Sequence, residues 1–224
     1  MRLRRSKADT QRGAATIEFY IVAFFVLLPL IMAIMQMGMY MSAKDTINLG
    51  ALASARVGAA GGTKSDMRNQ FAKTIAPLYP SSATPVSTGN YATAMASAYA
   101  RATVDTVNPL FTSISVVNPT QQSFNDFGIA GANGSRVIPT TNLLTDTRVG
   151  AQSRQSRADA LLLKVQVRYC YAMIFPLIDK LVTSTLSLLS ASPSDQACYA
   201  ADRVPIVANA IVRITEPPLA SNLL

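Results

Sequence analysis

Hydrophobic positions follow three patterns along the chain. From Phe19 to Met41 they run unbroken, 23 residues without a formal charge (FYIVAFFVLLPLIMAIMQMGMYM). A helix rises 1.5 Å per residue and needs about 20 apolar residues to cross a bilayer, so this run predicts a spanning helix over about 18–41. No other segment meets that length. Residues 42–60 (SAKDTINLGALASARVGAA) contain no Pro and extend the helix. Their small residues fall four apart, at Gly50, Ser54 and Gly58 and at Ala51, Ala55 and Ala59. Such spacing lets a helix be approached closely, either by a partner helix or by the domain the helix underlies. Gly61-Gly62 supplies a C-cap. A helix over 14–60 would be about 70 Å long. Within it Pro29 removes one backbone hydrogen bond and predicts a kink or a locally melted turn.

The second pattern has helical period without the length to span. Residues 64–76 are amphipathic, and 91–103 carry Tyr91, Met95 and Tyr99 four apart, a stripe expected to pack. Residues 177–190 (LIDKLVTSTLSLLS) follow Pro176 and form a third amphipathic helix. The third pattern alternates with period two, in Phe111–Val117, Leu161–Tyr171 and Val204–Thr215. In the second of these Lys164, Gln166 and Arg168 oppose Leu163, Val165, Val167 and Tyr169. Alternation predicts a sheet with one wet face. Residues 77–90 and about 118–158 are polar and rich in Pro, Ser, Gly and Asn, and predict a loop and a long insertion.

These elements make an α+β protein: a long N-terminal hydrophobic (pilin-like) α-helix, then a small head with an antiparallel sheet of about three strands and packed helices. The organisation is a leader over 1–13, the helix over 14–60 and the head over 61–224.

Charge fixes the direction of the helix. The net charge is +8, from 20 Lys+Arg and 12 Asp+Glu. Half of the excess lies in residues 1–13 (MRLRRSKADTQRG), where Arg2, Arg4, Arg5, Lys7 and Arg12 face only Asp9. The positive-inside rule then puts the N-terminus in the cytoplasm and the head outside. The absence of His excludes imidazole catalysis and His-based zinc sites, and two Cys cannot make a Cys-only zinc site. The remaining acids are scattered and no Gly-rich phosphate loop follows a strand, so no enzyme, metal or cofactor is expected. Arg148, Arg154 and Arg157 cluster without interleaved aromatics, which indicates a solvated loop and no nucleic acid. On the outer side an oxidising compartment allows Cys170 and Cys198 to pair, against the alternative of two free thiols.

Glu18 is the discordant residue, because an acid at the mouth of an apolar helix is costly and suggests function. Three readings of the N-terminus compete. A cleaved secretory signal should have an apolar core of about 7–15 residues closed by a nearby small-residue site. The candidate stretch, Ala51–Ala55, lies about ten residues past the run. A permanent anchor is the second reading, with Glu18 merely snorkelling. The third rests on the series Gly13, Ala14, Ala15, Thr16, Ile17, Glu18, Phe19, Tyr20, which resembles the class III signal of type IV prepilins. That resemblance implies cutting by a prepilin peptidase between Gly13 and Ala14, with Glu18 as the fifth residue of the mature chain. Cutting would remove +4 of charge and free an amine on Ala14, one turn from Glu18. A buried lone carboxylate is expensive, and the amine of a neighbouring subunit would neutralise it.

The resemblance extends further. Arg12, Gly13, Ala14, Ala15, Glu18 and Phe19, a long apolar helix with Pro29, and Ala55-Arg56 are similar to TadE-like (TadE/TadG-type) pseudopilins of the tight-adherence (Tad/Flp, type IVb) pilus. Ala208, Ala210, Val212, Arg213 and Glu216 weakly resemble the family's last strand. The resemblance implies a minor pseudopilin that assembles a pilus for adherence and biofilm. Its partners would be prepilin peptidase, other pilins and pseudopilins, Tad assembly-platform proteins and inner-membrane lipid. The alternatives are an uncleaved, permanently anchored periplasmic scaffold or binding protein, and a type II secretion pseudopilin.

Overall fold

A computed structural model describes residues 14–79, 87–131, 134–143, 146–174, 176–189 and 192–224. Helix α1 (Ala14–Val22), a π-helical turn (Ala23–Leu27) and helix α2 (Leu28–Ala59) succeed one another in unbroken right-handed backbone. The π-turn lies directly before Pro29. A proline lacks the N–H that would bond one turn back, so a widened turn there absorbs the missing bond. Helix α2 stops where Gly61 takes φ +86 and the Gly62 N–H donates to Val57 O at 3.0 Å. Only glycine adopts that conformation cheaply. Helix α3 (Lys64–Ile75) then starts from a capping box: Thr63 Oγ1 accepts from the Asp66 N–H while an Asp66 carboxylate oxygen accepts from the Thr63 N–H.

The head's sheet has the order β1-β4-β5, all antiparallel, with β1 (Thr112–Asn118), β4 (Leu162–Ala172) and β5 (Arg203–Arg213). The register pairs Val167 with Ile114 on one side and Ala208 on the other. Alternate residues Leu163, Val165, Val167 and Tyr169 are buried, while Lys164 and Gln166 are exposed. The buried face lies on α2, and Phe71 of α3 meets Tyr169 edge to face. The covering face of α2 repeats every three or four positions through Ala43, Ile47, Gly50, Ser54 and Gly58, the spacing of one helical stripe. Its small residues are spent within the chain: a Cβ on Gly58 would stand 2.8 Å from Met67 Sδ and 2.9 Å from Leu163 Cδ2. Ser54 Oγ donates to Met67 O at 2.9 Å, a buried bond that leaves its hydroxyl satisfied.

Helix α4 (Tyr91–Val107) packs on α3 through Ala98, Ala102 and Thr106. Of the expected packing stripe, Tyr99 packs half-buried against the core and Met95 is half-buried, while Tyr91 is exposed. Alanines take the fully buried positions because they allow a closer approach than tyrosines. The polar region before β4 is structured in part. It holds α5 (Gln121–Phe127), the short pair β2 (Ile129–Ala130) and β3 (Arg136–Val137), and the single turn α6 (Arg157–Ala160). Arg157, expected in a solvated cluster, is buried. Its guanidinium donates to the Thr141 and Asn142 carbonyls, each at 2.8 Å, and its Nε faces Asp146 at 3.2 Å as an ion pair. Arg148 pairs with the same Asp146 at 2.9 Å but stays exposed, and Arg154 is exposed as well.

Helix α7 (Pro176–Leu189) and helix α8 (Pro193–Ala200) connect β4 to β5, and α9 (Ala220–Leu223) comes after β5. Helix α8 is absent from the sequence-based expectation, although Ser192-Pro193 with Asp195 in the first turn is a recognisable start signal.

Candidate assembly surface

The long helix divides sharply along its length. From Thr16 to Met35 no side chain is buried, and burial begins at Gln36. The free stretch is 20 residues, about 30 Å of helix, which equals the thickness of a hydrocarbon core. The head buries side chains of the helix from Gln36 onward, and α7 reaches back as far as Ala33. Among the described residues one helix, Thr16–Ala59, is long and apolar enough to cross a membrane. Its large apolar residues have more than half of their surface open at Phe19, Tyr20, Phe24 and Phe25. Exposure on this scale marks a surface meant for lipid or for other helices.

Gly13 and the basic leader lie outside the described residues. Ala14 is the first residue of α1 and Glu18 stands exposed one turn on, at the free end of the helix. Phe19 and Tyr20 meet edge to face with ring centroids 6.1 Å apart, and Phe24 and Phe25 do the same at 5.5 Å. Pro29 sits at the top of the π-turn, within the free stretch. The structure therefore brings Glu18, the aromatics and Pro29 onto one uncovered helix, and keeps all of them apart from the head.

Cys170 and Cys198 form a disulfide with Cα atoms 5.6 Å apart. It fastens α8 to the end of the central strand. Arg168 supports the same junction, donating from Nε to Asp195 at 3.0 Å.

Beside this junction lies a part-buried polar cluster that the sequence did not reveal. Arg203 at the start of β5 pairs with Asp105 of α4 at 2.6 Å and covers the Phe111 ring at 4.0 Å. Asp105 also accepts from the Tyr79 hydroxyl at 2.6 Å, and Tyr79 hydrogen-bonds to the Tyr169 hydroxyl. Burial pushes the Tyr169 phenol up to about 12, and burial together with its neighbours' charge pushes Tyr79 higher still. The four residues are 26 to 98 positions from their partners, so no local motif announces them.

No curated protein and no solved structure matches the chain. A family model does match its N-terminal part: residues 13–56, which run from the glycine before α1 to the last turn of α2 and include the whole uncovered stretch, match the family of TadE-like proteins.

Proposed function

We propose that this chain is a minor pseudopilin of a Tad/Flp-type pilus machine, cut between Gly13 and Ala14 by a prepilin peptidase on the cytoplasmic side. The observation that carries this reading is the free helix of 20 residues with Glu18 near its N-terminal end, inside a segment that matches TadE-like proteins. Before assembly the helix would sit in the inner membrane, N-terminus inside and head in the periplasm, as the leader's charge directs. In the assembled state the same apolar surface would pack against the helices of other subunits, and its work is structural. The head is carried about 35 Å along α2, held by the small-residue stripe, and the disulfide that an oxidising periplasm permits fastens α8 to β4 within it.

Removing the leader would take away five Lys+Arg and Asp9 and leave a mature chain at +4. It would also place a new α-amine one turn from Glu18. Pairing that carboxylate with the amine of the next subunit would fix the axial register, because a charge in an apolar bundle without its partner is strongly disfavoured. The test is N-terminal sequencing of protein co-expressed with a prepilin peptidase. A chain beginning at Ala14 supports the reading, and one that still begins at Met1 overturns it in favour of a permanent anchor.

A further inference from the structure

Helix α7 has two faces, each set in part against the protein, and two leucines at its end that are not. Its polar side, with Lys180, Thr183, Ser184 and Ser187, lines a groove against Gln196 and Tyr199 of α8. Its apolar side begins with Val182 and Leu186, which line a cleft of about 280 Å³ with Ala33, Gln36, Met37 and Tyr40 of α2. Beyond that cleft Leu188 and Leu189 extend outward, 87% and 82% exposed. No formal charge occurs from Leu181 to Ser194.

The height of α7 along α2 says what covers those leucines. The uncovered stretch of the long helix ends at Met35, so its 20 residues fill a hydrocarbon core whose outer boundary falls at about residues 35–36. Ala33, Gln36 and Met37 straddle that boundary, and Val182 and Leu186 of α7 face α2 across the cleft there, from Ala33 to Tyr40. Leu188 and Leu189 lie two and three residues beyond Leu186, within about 5 Å along α7, and so stand close to the same height. An amphipathic helix with Ser, Thr and Lys on one side and Leu on the other, held at the boundary of the acyl chains, has the form of an interfacial helix.

We propose that α7 lies in the leaflet on the head's side of the membrane, with Leu188 and Leu189 among the acyl chains of phospholipid. The inference rests on the membrane placement of the free helix. It assigns the head a second lipid contact, which would hold the head against the bilayer and oppose extraction of the chain.

The experiment uses the full chain in phosphatidylcholine–phosphatidylglycerol vesicles. Nitroxide labels are attached at Leu188→Cys, Leu189→Cys, Ser187→Cys and Val26→Cys, one at a time; the native cysteines are joined and do not react. Ser187 is at the same height as the two leucines but turned toward the α8 groove. Collision with lipid-soluble oxygen is compared with collision with a water-soluble nickel chelate. The expected oxygen-to-nickel ratio at 188 and 189 is several-fold above that at 187 and comparable with that at 26. An oxygen-rich Val26 with nickel-rich 188 and 189 overturns the interfacial helix while the span stands. A nickel-rich Val26 removes the span itself, and this proposal with it. Labels at 188 and 189 shielded from both reagents, with spin–spin broadening between copies, overturn it in favour of a second copy as the occupant. Both substituted leucines are exposed, and a Ser187→Cys chain that folds identically controls for the helix.

Discussion

Gly50 of α2 lies against the ring of Phe71 on α3: a Cβ placed on Gly50 would stand 2.8 Å from Phe71 Cδ2 and 2.9 Å from Cε2. Phe71 is fully buried and meets Tyr169 edge to face with centroids 6.0 Å apart, so the ring has no free space to retreat into. Gly50→Ala should overpack this contact at a cost of about 1–3 kcal/mol, offset by about 1 kcal/mol of helix propensity. The expected result is a head domain whose Tm falls by up to roughly 8 °C. Gly38→Ala, where nothing lies within 4 Å, keeps the propensity gain alone and should leave the Tm unchanged or slightly raised. Thermal unfolding followed by near-UV circular dichroism checks both. A Tm for Gly50→Ala equal to that of Gly38→Ala would show that α2 and α3 are not pressed together.

The small residues of α2 also show how far the sequence could be read. The spacing of Gly50, Ser54 and Gly58 predicts a close approach, and there is one. It cannot say whose surface approaches, because small-residue spacing records distance and not partner identity. Period-two alternation is more informative. It puts Leu163, Val165, Val167 and Tyr169 on the buried face of β4, since a strand over a single core must alternate. The fold class, the long helix, the three strands and the disulfide are all legible for that reason: each comes from a local period or from residue type and compartment. The Tyr79–Asp105–Arg203 cluster, the burial of Arg157 and the alanine face of α4 are not. Each depends on which distant segments meet, and an arginine or alanine carries no sign of that in its own neighbourhood.

The Tyr79–Tyr169 contact makes the head sensitive to alkali. Burial raises the pKa of both phenols above the ordinary value of about 10, so the folded state favours their neutral forms. Their contribution is fully present below about pH 10, where the unfolded chain also keeps its phenols protonated. Above that pH the unfolded state loses protons first, and stability falls through about pH 12 with a slope of roughly 1.4 kcal/mol per pH unit for each tyrosine. Denaturant titrations between pH 8 and 12 should show this loss. Tyr169→Phe should flatten the slope above pH 10, even if it lowers stability at pH 8 by removing the hydroxyl partner of Tyr79. An identical slope in the variant would mean that this phenol ionises freely in the folded protein.

The disulfide closes a loop with a sequence separation of 28 residues. In the chain-entropy description, opening such a loop costs about 3–4 kcal/mol of stability. Reduction should therefore lower the denaturation midpoint of the head substantially. The first region to lose amide protection should be α8, which the bond joins to β4. Arg168 will then hold α8 through its part-exposed ion pair with Asp195, worth little by itself, and its hydrogen bond to the Ser194 carbonyl. Hydrogen exchange with and without a reductant checks the order of loss. If α8 and β4 lost protection together, the bond would be stabilising the whole head and not this junction.

Glu18 separates the two fates of the free helix. As an exposed acid at the end of an otherwise apolar stretch, it costs little while it stays at a water-facing boundary. It becomes expensive only when neighbouring helices enclose it. In a register role, Glu18→Ala should still be inserted and cut after Gly13, because the bond to be cut lies a full turn away. It should then fail to enter pili, as measured by the ratio of the head in sheared filaments to that in membranes. Glu18→Asp, which keeps the charge on a shorter arm, should recover part of that ratio, whereas Glu18→Gln should not. Equal incorporation of the Ala variant would leave Glu18 with a topological role alone. A Glu18→Ala chain that is uncut would move the residue into recognition by the peptidase. The comparison of cut and assembled fractions therefore assigns the charge to one step.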